Sequence, residues 1–305
     1  MTDQQTQWTT VTPSGIEVMY QAAPKRLYRV RATYDGPDSP LMEWAEVPSV
    51  TTVLGVLDKP ALPWWGMGVG VEGALALHNM GILRSMQVGH QMALCYEGEL
   101  GQWYVAGKEQ VIELLGKHKL TVNHVRDKAG DRGTAVHDAL EHWAGTGDLP
   151  DPGIFPPNEQ GYVLGLIAFL QDAMLEPVAS EVMVGSVEHG FAGRYDLRAK
   201  TTQDRQIVVH RTPKRGPQYA TLRGGMQLLT DLKTSSGVYP THAKQLEGYE
   251  IASIESGYDP TDARGILHVG PEGTYEFVRS WATAHDFLTT LAEYTSQGDM
   301  KSRKG

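Results

Sequence analysis

The spacing of apolar residues changes period partway along this chain, and that change limits the folds open to it. From about residue 63 to about 175 the apolar positions recur at helical spacing. Val136, Ala139, Leu140 and Trp143 form one stripe, and Val163, Leu164, Ile167 and Leu170 form another. Beyond that point, runs at 179–187, 191–199, 206–210 and 227–233 alternate or stay apolar as strands do. A helix is expected over 240–256, a closing hairpin from 263–269 and 274–279 around Gly270-Pro-Glu-Gly273, and a last helix over 281–297. Upstream, two short strands fall at 15–20 and 26–32, and helices are expected over 63–80, 82–95 and 105–117. Residues 48–57 are ambiguous, since Ser49 is a fair N-cap while the β-branched residues favour a strand. Helices first, then strands crossed by a helix, predict an α/β fold with an N-terminal helical elaboration. The expected division is 1–120 for the N-terminal β-hairpin and helices, and 121–300 for the core.

With 305 residues, 41% hydrophobic and 21% charged, the chain has the composition of an ordinary globular protein. No apolar run approaches the ~18–20 residues of a membrane span, so no membrane partner is expected. The N-terminus lacks the basic start and apolar stretch of a signal peptide, and a cytoplasmic location is expected. The single cysteine, Cys95, excludes an intrachain disulfide framework, a four-cysteine zinc site and a four-cysteine iron–sulfur cluster. A net charge of −9 argues mildly against a nucleic-acid partner. The distribution argues the other way. Arg194, Arg198, Lys200, Arg205, Arg211, Lys214, Arg215 and Arg223 are opposed only by Asp196 and Asp204, which reads either as a solvated charged loop or as a substrate-facing patch.

That patch runs into Asp231-Leu232-Lys233. Residues two apart on a strand project to one face, so a carboxylate and an ammonium stand side by side. A carboxylate can hold a divalent cation and the ammonium can position a water beside it, the minimal apparatus for metal-assisted phosphodiester hydrolysis. Alone, the tripeptide is as well explained by a surface ion pair. Asp196, in Gly190-Phe-Ala-Gly-Arg-Tyr-Asp-Leu-Arg198, ends a hairpin and brings a second acid to a neighbouring strand, unless it caps a turn or pairs with Arg194 or Arg198. Two acids and a backbone carbonyl suffice for magnesium, which keeps several waters. His137 lies off its helix's apolar stripe and could give a nitrogen ligand, with Glu141 one turn on as an orienting acid. Gln245 and Tyr249, spaced i, i+4, share one helical face, where the amide could orient Lys233.

In order, Gly133-Thr-Ala-Val-His137, Gly193-Arg-Tyr-Asp196, Asp231-Leu-Lys233 and Gln245-x-x-x-Tyr249 resemble the PD-(D/E)XK nuclease superfamily, in its RecB-like exonuclease branch. Pro48-Ser-Val-Thr-Thr-Val-Leu followed by Asp58-Lys-Pro-Ala-Leu-Pro-Trp-Trp65 looks like the N-terminal signature of phage-encoded members. The resemblance implies a restriction-endonuclease-like core, a central mixed β-sheet flanked by helices. It makes His137, Asp196, Asp231 and the Leu232 carbonyl ligands to Mg²⁺ or Mn²⁺, with Lys233 positioning the attacking water and Glu181 as a further acid. It implies a DNA exonuclease of phage or mobile-element recombination that leaves 5′-phosphates and acts beside a single-strand annealing protein. A structure-specific or nicking endonuclease, or an inactive DNA-binding module, are the competing readings. Relatives that grip DNA through an iron–sulfur cluster cannot be matched, because the cysteines are missing. The stretch between Asp196 and Asp231 is long for the family, and a basic insertion at about 200–226 is expected to form a flap on DNA through Arg205, Arg211, Lys214, Arg215 and Arg223. Gly68-x-Gly-x-x-Gly73 matches a dinucleotide fingerprint but follows no strand, so helix packing is the expected role.

Overall fold

The computed structural model describes residues 7–23, 26–32, 43–57, 61–212 and 216–302. Asp58 and Lys59 of the N-terminal signature, and Lys214 and Arg215 of the basic stretch, lie outside these. The chain forms two compact units, one of residues 1–57 with 133–305 and one of 58–132. The N-terminal strands belong to the first of these units.

The N-terminal strands β1 (Gln7–Val11), β2 (Ile16–Gln21), β3 (Leu27–Ala32) and β4 (Ala45–Val47) make an antiparallel meander. The ambiguous segment is helical. Helix α1 (Val50–Val53) starts at Ser49, whose Oγ accepts the Thr52 N–H at 3.0 Å, so the cap outweighs the β-branched preference.

In the smaller unit, α2 (Ala61–Asn79) is followed by β5 (Leu83–Val88), β6 (Gln91–Glu97) and β7 (Trp103–Val105), a three-stranded antiparallel sheet, then α3 (Lys108–Lys117). The helix expected over 82–95 is therefore a hairpin. The strands pair residue for residue from Leu83↔Tyr96 to Val88↔Gln91, and Gly89 supplies the positive φ (62°) of the turn. The Gly68–Gly73 motif is interior to α2. A Cβ on Gly73 would meet a Leu115 methyl at 2.6 Å, so close packing of α2 on α3 requires that glycine.

Helix α4 (Val122–Thr146) carries the predicted stripe, with Val136, Ala139, Leu140 and Trp143 all buried. In α5 (Pro157–Ala173) the inner face is Val163, Leu166, Phe169, Leu170 and Ala173, while Leu164 is exposed, a correction to the expected stripe. Next come β8 (Leu175–Ser186), β9 (Phe191–Thr201), β10 (Arg205–Thr212), β11 (Gly216–Leu222), β12 (Gln227–Lys233), α6 (Pro240–Glu255), β13 (Ala263–Val269), β14 (Tyr275–Arg279) and α7 (Ala284–Ser302).

The main sheet has the order β14-β13-β12-β9-β8 and is mixed. Strands β12 and β13 are parallel because α6 carries the chain back across the sheet, and the other pairs are antiparallel. Leu228 and Leu232 of β12 face α4 and α5. Leu229 faces α6, α7 and α1, and by alternation Asp231 and Lys233 project to that side. An α/β fold is what the strand and helix patterns predicted, and a mixed sheet flanked by helices is what the resemblance implied. Among the described residues, no helix is long and apolar enough to cross a membrane.

The expected basic insertion is the β10–β11 hairpin, and its body is anchored rather than free. Ile207, Val208 and Leu222 are buried in the α4/α5 core. Arg205 donates to the carbonyls of Gln171 and Asp172, at the end of α5, and Arg211 donates through Nε to the Tyr275 carbonyl at 3.1 Å. Arg198 is buried, donating to Ser253 Oγ at 3.1 Å and to the Asp259 carbonyl. The basic stretch is thus dispersed, since its strands turn alternate residues to opposite sides. Arg223 is exposed in the loop before β12.

Candidate metal centre

The ladder between β9 and β12 runs from Gln227↔Lys200 to Thr230↔Leu197 and stops. The next residues in that register are Asp231 and Asp196. In place of the ladder, Asp196 Oδ2 accepts the Leu232 N–H at 2.7 Å, so a side chain satisfies a buried backbone donor where the strands part. The site forms in that opening, with α4 contributing from one face of the sheet and α6 from the other.

From α4, His137 Nδ1 lies 3.5 Å from Asp196 Oδ1 and 3.7 Å from Glu181 Oε1. The potential ligand atoms of these three residues all lie within 4.8 Å of one another. Glu181 Oε2 is held by Arg194 Nε at 2.8 Å, which leaves Oε1 turned to the histidine. Glu181 also has φ 53°, in the left-handed region that a side chain on an extended strand avoids. Strain of this kind persists only where the surroundings impose it, and it gathers at functional sites.

From α6, Gln245 Nε2 donates to Asp231 Oδ1 at 3.2 Å and lies 2.9 Å from the Tyr249 hydroxyl. Gly193 makes room for the Tyr249 ring, because a Cβ there would lie 2.6 Å from Cε1. Lys233 Nζ stands 2.5 Å from Asp231 Oδ2. That oxygen, in a fully buried residue, has an ionic neighbour but no well-directed hydrogen bond.

The electrostatics follow from burial and from like charges set close together. Burial raises the Asp231 pKa, with Asp196 adding to the rise and Lys233 opposing it. Lys233 is disfavoured as a cation by burial, yet Asp231 and Asp196 more than compensate and hold its pKa above the usual value. Burial likewise opposes a charge on His137, and Asp196 and Glu181 overcome it, so its pKa is raised. On α6, His242 is pushed down to about 4 by burial and by the Lys233 charge. Burial raises the Tyr249 hydroxyl far above its usual value, so it stays protonated.

The sequence-predicted residues His137, Asp196, Asp231, Lys233, Gln245 and Tyr249 are therefore brought together, and Glu181 joins them. Glu141 is exposed on α4 and is not part of the His137–Glu181–Asp196 group. Arg205, Arg211 and Arg223 are not in the group either. Leu232 places its amide on Asp196 and its side chain in the opposite core. Sequence reasoning missed the Arg194–Glu181 pair, having set Arg194 against Asp196. The alternation of β9 held the clue, because Arg194 and Asp196 sit two apart on a strand beside Glu181.

Divalent cations suit this donor set. It supplies a nitrogen and carboxylate oxygens at mutual ligand distance, beside a buried carboxylate whose ionisation a further positive charge would favour. Compared with known proteins, the chain matches no protein-family model, and no curated protein resembles it at a significant level.

Proposed function

We propose that this chain is a metal-dependent deoxyribonuclease, an exonuclease hydrolysing phosphodiester bonds on a restriction-endonuclease-like core, in phage or mobile-element DNA processing. The observation that carries the reading is the opening between β9 and β12. There His137, Glu181 and Asp196 converge, with the Asp231–Lys233 pair 2.5 Å apart at its floor.

In this reading His137, Glu181 and Asp196 hold Mg²⁺ or Mn²⁺, with Asp231 and the Leu232 carbonyl as the remaining donors. The ion, when bound, supplies Lewis-acid stabilisation of phosphate charge and lowers the pKa of water. Lys233 stays protonated, orients the attacking water and offsets charge growing on the non-bridging phosphate oxygens. Asp231 fixes the ammonium, and Gln245 fixes Asp231 through the amide whose other neighbour is Tyr249. Arg194 keeps Glu181 turned to the histidine. Water attacks phosphorus in line, the P–O3′ bond breaks, the leaving oxygen takes a proton, and the products carry a 5′-phosphate and a 3′-hydroxyl.

The test uses the full chain with end-labelled linear duplex, single-stranded DNA and covalently closed circles, in Mg²⁺ and in EDTA. Progressive shortening of linear DNA in Mg²⁺ only, abolished by Asp231→Asn and by Lys233→Ala, is the expected result. Cutting of circles would replace the exonuclease by an endonuclease. Cleavage that persists in EDTA or in Asp231→Asn would overturn the mechanism.

A further inference from the structure

A rung of aromatic rings leads from the surface toward the carboxylate cluster. Trp8, Tyr20 and Tyr28 are direct cross-strand partners on β1, β2 and β3. Their ring centroids are 5.6 Å and 4.9 Å apart, with interplanar angles of 20° and 38°. Alternation puts them on the same face as Val18 and Val30, which pack with Ala192 of β9. Farther along, that face borders a cavity of about 610 Å³ whose lining includes Arg26, Arg194 and Tyr249 as well as Tyr20 and Tyr28. Arg194 is the residue that holds Glu181, and Tyr249 is the neighbour of Gln245, so the cavity abuts the cluster. Glu46, also at the cavity, is the cross-strand partner of Arg29.

Cross-strand aromatic pairs stabilise sheets in their own right. Here, however, Trp8 is 49% exposed and the rung continues into a cavity with two guanidinium groups. The exposed Trp8 ring, in line with cations, complements a flexible polyanion that carries flat apolar rings. A duplex has its bases already stacked on one another and offers only the terminal pair at an end, whereas an unpaired strand can offer each base in turn.

We propose that Trp8, backed by Tyr20 and Tyr28, forms a stacking platform for single-stranded DNA, with Arg26 and Arg194 receiving its phosphates on the way to the cluster. The substrate strand therefore arrives unpaired. What happens to it at the cluster rests on the nuclease reading, whereas the binding does not.

The experiment measures fluorescence anisotropy of the full chain in EDTA, where cleavage is blocked, with a labelled oligo-dT and a blunt hairpin duplex. Oligo-dT is expected to bind more tightly than the duplex. Trp8→Ala is expected to weaken oligo-dT binding by about tenfold or more, and Trp8→Phe, which keeps a ring, to retain most of it. Trp8 is half-exposed, so these variants spare the core. Equal affinity in wild type and Trp8→Ala, or a Trp8→Phe as weak as Trp8→Ala, would overturn the proposal. The two readings fail separately. If the chain is no nuclease, nothing is cut in Mg²⁺ but the Trp8→Ala loss remains. If the platform is wrong, cleavage proceeds and oligo-dT affinity ignores Trp8.

Discussion

Two groups of one histidine and two acids lie along the β8–β9 hairpin, and only one of them has the form of a ligand set. His137, Glu181 and Asp196 meet midway along the strands, and Glu188, His189 and Glu255 meet at its turn. In composition they differ only by an aspartate in place of a glutamate. At the turn, Glu255 Oε1 accepts the Ser186 hydroxyl at 2.6 Å and Oε2 accepts the Glu188 N–H at 3.3 Å, so both oxygens brace the loop. Midway along the strands, each acid gives one oxygen to the fold, Asp196 to the Leu232 amide and Glu181 to Arg194, and turns the other toward His137. Counting residue types cannot separate a turn brace from a candidate metal centre. The hydrogen bonds that occupy both Glu255 oxygens do.

The largest predicted effect breaks or upholds this contrast directly. Asp196→Asn is expected to lower the DNA cleavage rate by roughly 10³-fold, the scale on which loss of a charge-stabilising group is felt. Glu255→Gln, at the turn, is expected to cleave at the wild-type rate. Equal losses in the two variants would erase the distinction.

A smaller effect concerns the backbone. At an ordinary strand position glycine is worse than alanine, but at Glu181, with φ 53°, the order should reverse. Glu181→Gly is expected to be more stable than Glu181→Ala by about 1 kcal/mol in urea denaturation, while both lose cleavage. An alanine variant as stable as the glycine variant would remove strain from the description of the site.

The smallest effect sharpens the picture on the α6 side. His242 titrates at about 4 in the folded chain against an ordinary 6.5. A depressed folded pKa means that its contribution to stability is complete above 6.5 and is lost as the pH falls from there to about 4. Protonation would also end acceptance by its Nδ1 of the Tyr239 N–H. His137 has the opposite sign, since its raised pKa makes a contribution that is present below 6.5 and fades as the pH rises through the folded value. Urea denaturation of the metal-free chain between pH 7 and 4 should therefore lose less stability in His242→Gln than in wild type. An unchanged profile would contradict the shift.

Much of the architecture was legible in the sequence where a pattern is local. Gln227–Lys233 and Ala263–Val269 were bounded by their apolar runs, and the β2–β3 hairpin by alternation. Residues 82–95 misled because Met, Leu and Ala suit helices, whereas the hairpin is defined by residue-for-residue pairing between its strands and by a glycine turn. The acids Asp196 and Asp231 could be named from sequence. The end of the ladder that sets them opposite one another could not, since it depends on pairing between strands far apart in the chain. Glu181 was only a marginal candidate for the same reason, as nothing in Ser180-Glu181-Val182 announces a left-handed backbone. The aromatic rung was invisible because Trp8, Tyr20 and Tyr28 are neighbours only through the β1–β2–β3 register.

The central claim is that the group midway along β8 and β9 holds the ion, and counting bound Mn²⁺ by electron paramagnetic resonance tests it most directly. Wild type and Glu255→Gln should bind Mn²⁺ alike, and Glu181→Gln/Asp196→Asn should lose that binding while remaining folded. Full binding in the double variant, or its loss in Glu255→Gln, would contradict the account.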